Sequence, residues 1–370
     1  MQSVFLYIGC MLSFRVFKYL SPFLIYIGAL NAFVSSGWVI WLPLIYTWIL
    51  VPVLELFIRS DDSNLSEAEE DLAKKNRWYD IFLYLVVPFQ FAALFIFLQH
   101  LSTDQPWWDL AGKTAVMGLL CGTFGINVGH ELGHRVNKWE QRLAKALLLT
   151  AMYMHFFIEH NRGHHKRVAT PEDPSSARLG EMVYQFYFRS IVFSYLNAWH
   201  IAARELQKRG RHVISLHNEM IQVHLIQTLF IFVIYFLFGT LPLLLFLAAA
   251  LQGILLLETV NYIEHYGLQR KALSEGKYER AQPVHSWNSN HVIGRVMLFE
   301  LSRHSDHHYM ASRKYQVLRH HDHSPQMPTG YPGMMLLALV PPAWFYVMNK
   351  RVLQMQPLAE SSFAPVSSSQ

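Results

Sequence analysis

The sequence predicts an all-α integral membrane fold: a bundle of six transmembrane helices, capped on the cytoplasmic side by helical insertions that carry a histidine-rich site. Three observations lead there. Hydrophobic side chains make up 52% of the 370 residues and charged ones only 15%, where soluble domains carry about 25% charged residues. Six apolar runs approach or reach the roughly 20 helical residues that cross a hydrocarbon core of about 30 Å. Eight of the 20 histidines fall in three short boxes, each just beyond an apolar or amphipathic stretch.

The elements follow in chain order. Residues 1–14 are apolar but lack the basic region and small-residue cleavage site of a secretory signal, which points to an interfacial or uncleaved leading helix. The first span, 19–34, is the shortest, and with the second, 37–58, it forms a hairpin turning at Ser35, Ser36 and Gly37. Spans three to six are expected at 79–99, 108–129, 219–238 and 241–263. Residues 142–158 are apolar on most faces but too short to cross with ease, so the segment reads as a helix against the bundle or at the interface, delivering His160 to the membrane face. Pro341 and Pro342 interrupt 331–348 and predict a partly inserted element. Residues 1–349 read as a single membrane-embedded domain, and 350–370 as a disordered tail rich in Ser, Pro and Ala.

Orientation comes from the basic residues, which are retained on the cytoplasmic side. The connections 35–36, 100–107 and 239–240 contain no Lys or Arg, whereas 13 lie in 130–218 and nine in 264–330. Both termini and both large insertions, 130–218 and 264–330, are therefore expected in the cytoplasm. Lys113 sits a turn inside span four and can snorkel outward. The formal net charge of +5 suits anionic headgroups or an acidic protein partner. Nothing in the pattern suggests nucleic acid. Cys10 and Cys121 both lie in apolar stretches, which excludes a disulfide framework or thiolate cluster and leaves nitrogen as the metal donor.

The first box, His130-Glu-Leu-Gly-His134, continues span four, and its four-residue step puts both rings on one helix face. The second, His160-Asn-Arg-Gly-His164-His165, repeats that step and adds a ring about 100° away, so it can serve two metals. The third, His304-Ser-Asp-His307-His308, uses a three-residue step. His265 emerges at the end of span six as a further candidate. Eight or nine nitrogens exceed the four ligands of one tetrahedral metal, so two metals are implied, and imidazole donors suit iron, copper, zinc or nickel. Glu131, Asp306 and Glu264 stand beside candidate ligands and can orient their rings, as can Glu159. Glu258 is a carboxylate inside span six and therefore a functional candidate. A site at the end of apolar helices implies an apolar substrate arriving from lipid and oxidised by O2 at a diiron centre. Trp48, with Trp41, is the candidate for setting the depth of a substrate channel.

HELGHR at 130–135, EHNRGHHKRVATPEDP at 159–174, NYIEHYGLQR at 261–270, HSWNSNH at 285–291 and LSRHSDHH at 301–308 resemble the integral-membrane alkane 1-monooxygenases. The resemblance runs from about residue 40 to 345, and NYIEHYGL is its discriminating part, because histidine boxes alone are shared with membrane fatty-acid desaturases. It implies two non-haem iron ions held by His130, His134, His160, His164, His165, His304, His307 and His308, with His265 as ninth ligand. It also implies terminal hydroxylation of medium-chain alkanes to 1-alkanols in the bacterial inner membrane. Electrons would come from NADH through rubredoxin reductase and rubredoxin. With two cysteines, the chain itself cannot build rubredoxin's four-thiolate iron site. Lys138, Arg142, Lys166, Arg167, Arg270 and Lys271 are candidate docking residues for that acidic donor.

Rival readings are a desaturase or xylene-type hydroxylase, distinguished by product, and an intramembrane zinc protease, because HELGH matches H-E-x-x-H. The protease leaves most boxed histidines unexplained. A metal transporter would spread its polar ligands along a path through several spans.

Overall fold

The computed structural model describes residues 15–361. The leading helix expected at 1–14, Cys10, and the end of the tail at 362–370 lie outside the described residues. Nearly all of the described chain that is regular is helical, and its one small sheet is the antiparallel pair Ala272–Ser274 and Lys277–Tyr278.

Five helices are long and apolar enough to cross a membrane: Val16–Val34, Gly37–Phe57, Trp78–Gln99, Glu219–Phe238 and Thr240–His265. They correspond to the expected spans one, two, three, five and six, and this is a multi-pass membrane protein. Span five shows why composition reads so clearly, since Leu229, Phe236 and Leu237 are 64%, 77% and 69% exposed, as on a helix that faces lipid.

The fourth expected span is built differently. It runs as Trp107–Leu120, a π-helical turn Cys121–Ile126, and Asn127–Gly133, and it falls outside the group of five. Lys113 and Asn127 dilute its hydropathy, and protein surrounds it on nearly every side, so it needs no lipid-facing stripe. Lys113 donates to the carbonyl of His100 at 3.1 Å and thus reaches toward the connection before the span. Span six crosses this helix closely enough that a Cβ on Gly253 would lie 2.6 Å from Cys121 Cβ, a contact only glycine allows.

Three local readings are corrected. The segment 142–158 is two helices, Lys138–Thr150 and Phe156–Glu159, because the chain turns sharply between them with Met152 at φ 53°. Inside the first insertion, a 26-residue helix, Val183–Lys208, was not anticipated. Its buried side, Phe186, Ser190, Ser194, Ala198, Ala202 and Leu206, repeats every four residues but is mostly small and polar, so it carries no hydrophobic signal. Near the end, Tyr331–Ala338 and Pro341–Met355 are bent by 119°, in keeping with the expected interruption at the prolines. The second arm extends as Pro341–Ser361, so 350–361 is helical and not part of a disordered tail. Trp344, Met348 and Val352 are fully buried at four-residue spacing and hold that helix down.

Candidate metal centre

Three helix ends and one π-helical turn converge on the same side of the bundle. Asn127–Gly133 brings His130, with His134 as its cap; the turn around His160–His165 brings three rings; span six ends on His265; and the short helix His304–Tyr309 brings the last three. The nine histidines sort into two groups whose ligand-capable atoms lie within 4.8 Å of one another. One holds His130, His134, His160, His165 and His307, and the other His164, His265, His304 and His308.

That sorting differs from simple helix spacing. His160–His164 is a π-helical turn, so His160 shares its group with His165 and not with His164. In the third box His304 pairs with His308 at a four-residue step, while His307 points to the five-membered group. A second π turn, Cys121–Ile126, sets the phase of the helix carrying His130, and a third, Tyr46–Leu50, holds Trp48.

Distances fit coordination. His130 and His307 Nε2 atoms are 2.9 Å apart, His160 and His165 3.0 Å, His165 and His307 3.1 Å, and His134 and His160 3.2 Å. In the other group, His265 to His304 is 3.2 Å and His164 to His308 is 3.3 Å. Two nitrogens about 2.1 Å from one metal at a right angle stand about 3.0 Å apart, so these separations match the edges of a coordination polyhedron. Burial, then the neighbouring rings, hold His160, His165, His304 and His308 well below the usual imidazole value, and His307 is lowered to about 3. All five are thus neutral with lone pairs to offer.

The supporting carboxylates are not those nearest in sequence. His164 Nδ1 lies 2.8 Å from Asp173 Oδ2, both fully buried. Burial would raise Asp173, but His164 and the Ser176 hydroxyl hold it below the ordinary carboxylate range, while Asp173 in turn raises His164 against its own burial. Sequence spacing gave no sign of Asp173, which reaches the ring by a loop. Glu264 Oε2 stands 3.1 Å from His304 Nε2, and its other oxygen accepts from Tyr331 at 2.7 Å. Glu131 and Asp306 face elsewhere: Glu131 accepts from Arg135 and Tyr315 N, and Asp306 binds Arg313, Arg319 N and His321. Among the described residues neither forms a hydrogen bond with a boxed histidine. Glu159, raised to about 7 by burial with Asp173 adding to it, takes Asn197 and Arg167. Glu258 is fully used by Tyr153, Ser190 and Asn261, tying span six to the helix Val183–Lys208. The ring of His285 bonds Gln282 N and Glu279 and belongs to neither group.

An apolar cavity lies among the spans. Trp48, Leu119, Leu256 and Met335 line it together with Asn127, Val260 and Tyr331, and Tyr331 donates to Glu264. Trp41 is not among its lining; it packs instead over Gly112 of the fourth span. Lys138, Arg142, Lys166 and Lys271 are exposed, whereas Arg167 and Arg270 are half-buried.

The fatty acid desaturase family model matches residues 105–338, which contain all nine histidines. Alkane 1-monooxygenase 2 of Pseudomonas aeruginosa is 40% identical over 315 residues, 84% of each chain. The alkane 1-monooxygenase of Ectopseudomonas oleovorans is 39% identical over 323 residues, 86% of this chain and 80% of its own. The xylene/toluene monooxygenase hydroxylase component of Pseudomonas putida is 28% identical over 249 residues, 66% of this chain and 65% of its own.

Proposed function

The chain belongs to the fatty acid desaturase family and, within it, to the alkane 1-monooxygenases, and from that membership we propose that it hydroxylates the terminal carbon of medium-chain n-alkanes. The balanced reaction takes an alkane, O2, two electrons and two protons to a 1-alkanol and water. The observation that carries this reading is the pair of histidine groups together with an apolar cavity whose wall includes Tyr331, the hydrogen-bond partner of Glu264.

Two iron ions fit the nine imidazoles, one in each group, and bound iron would supply the activation of O2. The protein's own contribution is positional. Asp173 fixes the tautomer of His164 by accepting a hydrogen bond from its Nδ1–H, and Glu264, held by Tyr331, stands against His304. The cavity wall of Leu, Val and Met keeps water from the C–H bond. The site and both termini lie on the cytoplasmic side of a bacterial inner membrane, where the soluble donor, a rubredoxin fed by an NADH-dependent reductase, reaches Lys138, Arg142, Lys166 and Lys271.

Protein reconstituted with iron, rubredoxin, reductase and NADH is expected to convert alkanes to 1-alkanols, read by gas chromatography, at about two irons per chain. An alkene, a mid-chain alcohol or no product would overturn the reading. Trp48→Ala enlarges the cavity and is expected to shift the product ratio toward longer alkanes by severalfold, since each added methylene is worth about 1 kcal/mol in an apolar pocket. An unchanged chain-length profile would remove Trp48 from the channel. Raising salt from about 50 to about 500 mM is expected to slow donor-limited turnover severalfold, as screened charges steer less; a flat profile excludes electrostatic docking.

A further inference from the structure

Where the first turn of span one meets the histidine-bearing cap, a polar cavity is lined by Arg15, Lys18, Asp61, Arg295, Glu300 and Arg303. Its charges do not cancel. Glu300 is consumed by Lys18 at 2.7 Å, Tyr19 at 2.6 Å and Arg295 at 2.8 Å, and Asp61 pairs with Arg295 at 2.9 Å. Arg303 is only 5% exposed, yet its hydrogen bonds all go to neutral oxygens: Leu318 O, Ser63 O, Asp61 O and Asn64 Oδ1. Its Nε is buried without a partner. Four cations thus face two carboxylates, or three if Glu69, 3.5 Å from Arg15, is included. Residues 1–14 contain no Asp or Glu that could supply the missing charge.

A buried guanidinium without a counter-charge is costly, and the ligand that would relieve the cost is an anion. The position selects which. Arg15 and Lys18 are 51% and 39% exposed at the mouth, and Leu20 and Leu24, on the next turns of the span, are 45% and 65% exposed to the bilayer.

We propose that this cavity binds the phosphate of an anionic diacyl phospholipid, whose acyl chains run along Leu20 and Leu24. Arg303, with Arg295 beside it, faces the phosphate from within, and Arg15 and Lys18 close over it. Because Arg303 directly precedes His304, the bound lipid braces the segment that carries the third histidine box.

The test uses the full-length protein in nanodiscs of phosphatidylcholine, with or without phosphatidylglycerol. Native mass spectrometry is expected to find about one phosphatidylglycerol retained per chain, and the melting temperature to be higher with that lipid. Arg15→Gln with Lys18→Gln, both partly exposed, is expected to weaken retention about tenfold or more, since each basic residue at an anionic surface contributes comparably. Arg303→Gln, if folded, should do the same. Lys208→Gln with Arg209→Gln removes equal charge from an exposed position elsewhere. An equal loss in that control, or retention unaffected by the cavity variants, overturns the site. Inorganic phosphate giving the same rise in phosphatidylcholine nanodiscs overturns the lipid assignment.

Discussion

His307→Ala is expected to lower 1-alkanol formation more than about 100-fold and to deplete bound iron, exceeding the 10–100-fold range typical of residues that only support a ligand. His307 Nε2 lies 2.9 Å from that of His130 and 3.1 Å from that of His165, within the five-membered group. Its ring also stacks against His304 of the other group at 5.5 Å between centroids, so it stands between the two. Removing it opens one site and loosens the wall of the second. Metal content by plasma mass spectrometry and product by gas chromatography check the outcome, with circular dichroism reporting that the helices persist. Iron and activity retained at wild-type level would mean that the groups do not hold the metal.

Asp173→Asn is expected to cost about 10–100-fold in iron affinity, with a matching loss of turnover at limiting iron. Among the described residues the carboxylate is the only hydrogen-bond partner of His164 Nδ1, 2.8 Å away and completely buried. An amide there either presents its NH2 to the ring or accepts a weaker bond, and in both cases the ring loses its charged anchor. Asp306→Asn provides the contrast. Asp306 sits inside the third box but binds Arg313, Arg319 N and His321, so its loss should lower the melting temperature while leaving iron affinity nearly unchanged. If the two variants behaved alike, hydrogen bonding to His164 would not be what distinguishes Asp173.

The contrast between Asp173 and Asp306 marks how far the sequence could be read. Asp306 lies two residues from His304 and Asp173 nine from His164. Proximity in the chain favoured the first, but on a short helix neighbouring side chains radiate in different directions, and Asp306 leaves on the side away from the rings. Glu131 is turned away for the same reason, toward Arg135, whereas Glu264 meets the Nε2 of His304, which comes to it from another segment. Five spans were legible because lipid demands a continuous apolar run. The helix Val183–Lys208 was not, because its buried face of Ser and Ala packs against polar groups such as Glu258.

The sequence by itself determined the membrane class, the family, and the nine histidines that the fold gathers in one place. Each is a local signal, an apolar length or a motif that survives without knowledge of neighbours. Tertiary structure alone decided how the histidines divide five and four, since a π turn pairs His160 with His165 and sends His164 across to Asp173. It also decided which carboxylates support them and that Trp48, not Trp41, lines the cavity. The physical reason is rotational: one extra residue in a helical turn moves every following side chain around the axis, and only packing against distant segments selects where that residue goes.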